Sequence, residues 1–300
     1  TQELQLTDPE LQYRVNELWP EGANVTLTAV YKAGKTTTVN HILKCLADGH
    51  PLFGRWGVNH DGRTALWNYE VSDRQERIWL READITNTDA ITLLNLRGTR
   101  WPLTNPSITD ATIEWLRTHN ITTWIIDPLA RAFVGCGDEN SNQDMGIFLD
   151  TLDYIKEQAG VANLLITAHT GRNAEQGNSR ARGASRFDDW ADVRWMIRKN
   201  SDEDATRYFQ ADGRDVDQPE SELQYDPDTR SLVIVAGQSR KAKRELSIHD
   251  SILQTLSKHP QGLSKQQLLE ACKADHKDAS GKGQGFSLSR AENNGPLRPM

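Results

Sequence analysis

The chain has 300 residues, 37% of them hydrophobic and 26% charged, with a net charge of −7. That composition suits a soluble globular protein, and the acidic balance argues against wholesale coating of nucleic acid while leaving room for a local basic surface. No apolar run approaches the roughly 20 residues of a membrane span, the first twelve residues lack a signal-peptide layout, and three cysteines far apart without CxxC spacing fit a reducing cytoplasm rather than zinc or a disulfide framework.

Leu11 to Leu18 reads as a short helix closed by Trp19-Pro20-Glu21-Gly22. Strand and helix patterns then alternate. Strands are expected at Val25–Val30, Thr64–Glu70, Thr92–Leu96, Thr123–Asp127 and Ala162–Ala168. Helices are expected at Thr36–Ala47, Asp73–Ala83, Asp110–His119 and Asn142–Gln158. This alternation predicts an α/β fold with a mostly parallel sheet covered on both faces. After Arg172 comes a polar, Arg-rich loop to Arg186. Shorter strand patterns follow at Val193–Arg198, Ala205–Ala211, Glu222–Tyr225 and Leu232–Val235, read as an antiparallel extension of the sheet. The first domain is therefore expected over residues 1–238. A basic run, 239–245, reads as a linker, and 246–273 reads as a small helical module resembling the opening of a winged helix. Within it Ile248, Ile252, Leu253 and Leu256 recur at helical spacing, and Ser264 is a natural N-cap. Residues 274–300 are rich in Gly, Ser and Asn and are expected to be disordered.

The most informative segment is Val25–Asn40, VTLTAVYKAGKTTTVN. A strand rich in β-branched residues enters Ala29-Val-Tyr-Lys32-Ala33-Gly34-Lys35-Thr36, and Thr37 continues into a helix. Strand, glycine turn and helix in that order make a phosphate loop. The backbone N–H groups and the positive end of the helix face an anion, Lys35 reaches the β- and γ-phosphates, and the Thr36 hydroxyl sits on Mg²⁺. Ala29 stands where such loops usually carry their first glycine; alanine suffices if that position does not need positive φ. The ligand expected is ATP or a relative, with Mg²⁺.

Three later positions refine this. Glu70 ends a strand pattern at the carboxyl edge of the sheet, where it orients an attacking water; the competing reading is a solvated strand-end acid. Asp127 ends the apolar run Trp124-Ile-Ile-Asp127-Pro, and burial of its carboxylate calls for a cation, supplied by Mg²⁺ shared with Thr36; otherwise it only opens an Asp-Pro turn. His169 closes Leu164-Leu-Ile-Thr-Ala-His169, placed to touch the γ-phosphate, although a lone histidine is often structural.

The order of phosphate loop, Glu70, Asp127-Pro, Ala168-His169-Thr-Gly and Ala181-Arg-Gly-Ala-Ser185 resembles the RepA-type branch of RecA-like P-loop ATPases, which includes hexameric plasmid and phage replicative helicases. Pro51-Leu-Phe-Gly54, Asp192-Val193 and Gly213-Arg214-Asp215 agree with it, and the resemblance covers about residues 18–236. It implies a RecA-like core, a homo-oligomeric ring, ATP hydrolysis, and an arginine contributed by a neighbouring subunit. Arg214 is the first choice for that finger and Arg194 the second; the usual Lys-x-Arg is replaced by Ala211-Asp-Gly-Arg214. The resemblance also places Arg172, Arg180, Arg182 and Arg186 on a channel-facing loop suited to single-stranded DNA, against the plainer reading of an ordinary charged surface loop. The expected activity is thus that of an ATP-driven DNA motor in replication or maintenance of a plasmid- or phage-type element. The alternative is an ATP-binding regulatory switch without unwinding activity.

Overall fold

The computed structural model describes residues 10–30, 32–169, 185–199, 206–235 and 239–275. The chain divides into two compact units, Thr1–Gly237 and Gln238–Met300.

The first unit is built on a nine-stranded sheet. Its strands in chain order are β3 (Asn24–Ala29), β4 (Arg63–Asn68), β5 (Ile91–Asn95), β6 (Ile121–Asp127), β7 (Asn163–His169), β8 (Val193–Lys199), β9 (Arg207–Gly213), β10 (Asp217–Asp226) and β11 (Ser231–Ile234), after a small hairpin of β1 (Tyr13–Val15) and β2 (Trp19–Pro20). Spatially they run β11-β10-β9-β8-β3-β7-β6-β4-β5. From β8 through β5 all pairs are parallel, whereas β9, β10 and β11 are antiparallel to their neighbours.

Every residue of β3 is buried, as expected for a central strand covered on both faces. The two faces are visible in the period-2 pattern of the other strands. Ile125 and Leu165 join one hydrophobic cluster with Val39, Ile42, Leu43 and Leu46. Their sequence neighbours Trp124, Ile126, Leu164 and Ile166 join the opposite cluster with Ile113, Leu116, Phe148 and Leu152. The helices supplying those faces are α1 (Lys35–Asp48), α2 (Asp73–Glu82), α3 (Pro106–Thr118), the single turn α4 (Leu129–Ala132), α5 (Asn142–Ala159) and α6 (Ser185–Trp190). Their ends follow local chemistry. Ser72 Oγ accepts from the Gln75 N–H at 3.3 Å, and Ser141 Oγ accepts from the Asp144 N–H at 3.2 Å, so each caps its helix. Gly49 ends α1 in the left-handed region (φ 74°), its N–H bonded to the Cys45 carbonyl at 3.0 Å.

Two expectations about this unit change. The segment read as an N-terminal helix is the β1–β2 hairpin. Docking overrides its helical spacing: Arg14 is buried with its guanidinium donating to the Asp61 carbonyl at 2.5 Å, and Trp19 packs edge-on against Trp195 at 5.7 Å. The antiparallel extension also starts one strand later than expected, since β8 pairs parallel with β3.

The second unit contributes α7 (Arg240–Ser257) and α8 (Lys265–Asp275). The basic run 239–245, read as a linker, largely forms the first turns of α7. Ser264 caps α8 as its sequence suggests. Its Oγ accepts from the Gln267 N–H at 3.3 Å, while Gln267 Oε1 accepts from the Ser264 N–H at 3.0 Å. Among the described residues no helix is long and apolar enough to cross a membrane.

Candidate nucleotide site

The carboxyl ends of β3, β4, β6 and β7 meet along one edge of the sheet. Register fixes the levels: Ala29 lies opposite His169 on β7, and Asn68 lies opposite Asp127 on β6. Beyond Ala29 the chain turns through the loop into α1. Ala29 is buried with the rest of β3, and its backbone continues the strand, so alanine fits in place of glycine. Lys32 takes a left-handed conformation at φ 59°, and the Ala33 N–H bonds the Val30 carbonyl at 3.0 Å. Gly34 has φ 96°, a value that glycine adopts freely and other residues adopt only under strain. Its carbonyl accepts from the Thr38 N–H at 2.9 Å and the Thr38 hydroxyl at 3.0 Å, which sets the first turn of α1.

Lys35 opens α1, and its side chain crosses the strand tips. Its ammonium donates to Asp127, to Thr167 Oγ1 at 3.2 Å and to Glu70 Oε2 at 3.4 Å; the Thr167 hydroxyl also donates to Asp127. Lys35 and Asp127 are 6% and 4% exposed, whereas Glu70 is 45% exposed. One acid is thus committed to the interior, and the other faces the crevice. Two charges buried side by side hold only because each answers the other and neighbouring hydroxyls fill the remaining valences. The sequence brings Lys35, Glu70 and Asp127 to one place, as expected. Thr36 and Thr37 lie half-buried in the same first turn, and His169 stands at the tip of β7, level with Ala29.

Glu70 is aimed by a residue the sequence reading passed over. Asn68, buried at the end of β4, accepts the N–H groups of Glu70 and Val71 at 3.1 and 2.9 Å and donates to the Val71 carbonyl and Asn95 Oδ1, both at 2.8 Å. The signal was present in Trp67-Asn68-Tyr69-Glu70, because a polar amide ending an apolar strand calls for a local turn.

A second unanticipated residue is the acid Glu76 on α2, 1% exposed. Its Oε1 has no hydrogen-bond partner among the described residues. Burial, reinforced by the negative charge of Asp127, pushes its carboxyl up to about 7; Asn40 on α1 and the Arg230 cation oppose the rise without cancelling it.

The arginines separate by sheet edge. Arg194 is level with Thr26, near the start of β3, and is ion-paired to Asp212. Arg214 follows β9, whose Gly213 is level with Val193; its N–H bonds the Asp192 carbonyl at 3.2 Å, and its guanidinium, 77% exposed, lies 3.7 Å from Asp192 Oδ1. Both therefore stand at the edge away from their own chain's phosphate loop. Arg207 starts β9 at the other edge, and a Cβ built on Gly34 falls 3.3 Å from its Nε. Sequence reading missed it because strand pairing alone brings it back to the loop. Arg186 is exposed on α6, its N–H donating to Asn142 Oδ1 at 3.3 Å. Arg172, Arg180 and Arg182 lie outside the described residues.

The donor set fits a magnesium nucleotide. No group of three or more His, Cys, Asp or Glu side chains able to hold a metal occurs among the described residues. Mg²⁺ is characteristically held by one or two protein oxygens plus substrate phosphates, and Asp127 and the Thr36 hydroxyl are the oxygens this site would offer it.

Comparison with known proteins bears on the fold and the family. A search of curated proteins returns no match. Among solved structures, a KaiC-like protein from the hyperthermophilic archaeon Pyrococcus horikoshii is similar in fold, with a TM-score of 0.51 and 14% identity over 74% of this chain and 93% of that one. This likeness bears out the RecA-like α/β core. Residues 1–175, more than half of the sequence, match the AAA domain model AAA_25, and the chain belongs to that family of P-loop ATPases.

Proposed function

We propose that the chain is an ATP-hydrolysing motor of the RepA type, acting on single-stranded DNA as a ring, with labour divided between one subunit's loop and its neighbour's arginine. The observation that carries this reading is the meeting of Lys35, Asp127 and Glu70 at the mouth of a phosphate loop. Lys35 and the loop amides hold the β- and γ-phosphates, and the α1 N-terminus adds its dipole. Mg²⁺, held by Thr36 and Asp127, supplies charge neutralisation on the phosphate oxygens when bound. Glu70, exposed and fixed through Asn68, orients the attacking water and accepts its proton. His169, at the β7 tip, reads the presence of the γ-phosphate and passes it to the segment that follows.

The ring supplies what one chain lacks. Arg214 stands at the edge away from its own loop, a position suited to serving the next subunit's nucleotide. Arg172, Arg180, Arg182 and Arg186 are the proposed DNA contacts, through phosphates. The second reading, an ATP-dependent switch that binds a protein partner without unwinding DNA, is favoured by the net charge of −7.

The deciding experiment is ATP hydrolysis with and without single-stranded DNA, together with particle mass in MgATP. Stimulation severalfold with a ring-sized mass supports the motor, whereas slow turnover indifferent to DNA supports the switch. Doping R214A subunits into wild-type rings should depress activity more than in proportion to their share; strict proportionality removes Arg214 as the trans finger.

A further inference from the structure

β9 is antiparallel to β8, so it begins where β8 ends, with Arg207 paired to Lys199. Ile197 is level with Ala29, which places Arg207 two residues past the tip of β3, at the height of the phosphate loop. Its side chain runs along that loop: a Cβ on Gly34 would lie 3.3, 3.7 and 3.8 Å from Nε, Cζ and Cδ. From the far side the Tyr225 ring of β10 holds the guanidinium at 5.7 Å.

The cation itself is under-used. Arginine carries five N–H donors and no acceptor. The Nε of Arg207 is buried without a hydrogen-bond partner, and no carboxylate pairs with the residue among the described residues. Arg194 and Arg214, by contrast, each have an aspartate. A buried donor left without a partner is costly, and this partly buried side chain borders the amino end of α1, where an anion is favoured. Resting on the reading of this loop as a nucleotide site, we infer that Arg207 is a nucleotide-binding residue of its own subunit, donating charge-assisted hydrogen bonds to the phosphates held by the loop. The Tyr225 ring keeps its planar head in place. Arg207 is distinct from the arginine proposed to arrive from a neighbour, because it acts in cis and governs binding.

Affinity for MgATP, MgADP and adenosine, measured by competition against a fluorescent ATP analogue, tests this on the full chain and on R207Q and R207K. The expected result is a loss of about 10- to 100-fold for ATP and ADP in R207Q, the range a charge-assisted hydrogen bond is worth. Adenosine binding and the melting temperature should change little, and R207K should recover part of the loss. If R207Q fails to fold, R207K carries the test, because it keeps charge and bulk but loses the planar donor set. Wild-type ATP affinity in the variant makes Arg207 a packing strut and overturns the inference. An equal loss for adenosine makes it a base contact and overturns it too. Failure of the wild-type protein to bind MgATP removes the nucleotide site itself, an outcome separate from either.

Discussion

Lys35 and Asp127, 92 residues apart in the chain, form an ion pair buried from solvent at the meeting point of α1 and β6. Each charge is tolerated because the other is present. Replacing Lys35 by alanine should therefore destabilise the fold as well as abolish nucleotide binding. The expected cost is about 3–5 kcal/mol, the range found when one partner of a buried pair is removed. K35A/D127N should regain much of that stability while still failing to bind MgATP. Chemical denaturation of the two variants checks this, and equal stability of K35A and wild type would show that the pair is not mutually dependent.

Glu70 presents a different balance, being nearly half exposed and only 3.4 Å from the Lys35 ammonium. The E70Q variant preserves size and the Asn68 hydrogen bond to the backbone. MgATP binding should persist while the turnover rate falls by about 10²-fold or more, the usual contribution of a general base. Parallel binding and single-turnover measurements separate the two quantities. Loss of binding in E70Q would instead make the carboxylate part of the ground-state phosphate site.

Gly34 is constrained twice, by φ 96° and by the Arg207 side chain against it. In G34A the left-handed conformation costs about 1–2 kcal/mol, and the new methyl group needs Arg207 to give by a few tenths of an ångström. Both a lower melting temperature and weaker MgATP binding are expected. A G34A protein that matches wild type in both would mean that the loop has an alternative path.

Two buried groups oppose each other in pH dependence. Glu76, raised from 4.5 to about 7, favours the folded state below pH 4.5 and withdraws that contribution as pH rises through 7. His41, lowered from 6.5 to about 4 by burial and by the charges of Lys44 and His50, does the reverse: its contribution is present above pH 6.5 and is lost as pH falls through 4. Between pH 4.5 and 6.5 the two slopes offset. E76Q removes one of them, so its stability should rise by about 2–3 kcal/mol across that window, where wild type changes little. Urea titrations in EDTA at pH 4.5, 5.5 and 6.5 read the slopes directly, and parallel curves for the two proteins would remove Glu76 from this account.

The central strands and helices were legible because their signals are local. β6 and β7 run through apolar residues to a polar tip, β3 is rich in β-branched residues, and α2 and α5 announce their starts with serine caps. Lys35, Glu70 and Asp127 were legible because each ends or follows a strand at the same edge. Other features depend on partners far away in sequence. The β1–β2 hairpin is set by Arg14 and Trp19 meeting residues of other segments. The direction of β8 depends on its pairing with β3, which its own sequence does not state. Glu76 sits on a helix whose composition is strongly polar, so nothing local marks it as buried. Arg207 is one basic residue among many until β9 folds back beside Gly34.

β9 has a mechanical corollary. Its seven residues extend about 20 Å, with Arg207 at one end and Arg214 just past the other. Hydrogen bonding to β8 and β10 on both flanks stiffens it against bending. The strand is therefore a fixed spacer that sets the distance between two basic side chains standing at opposite edges of the sheet.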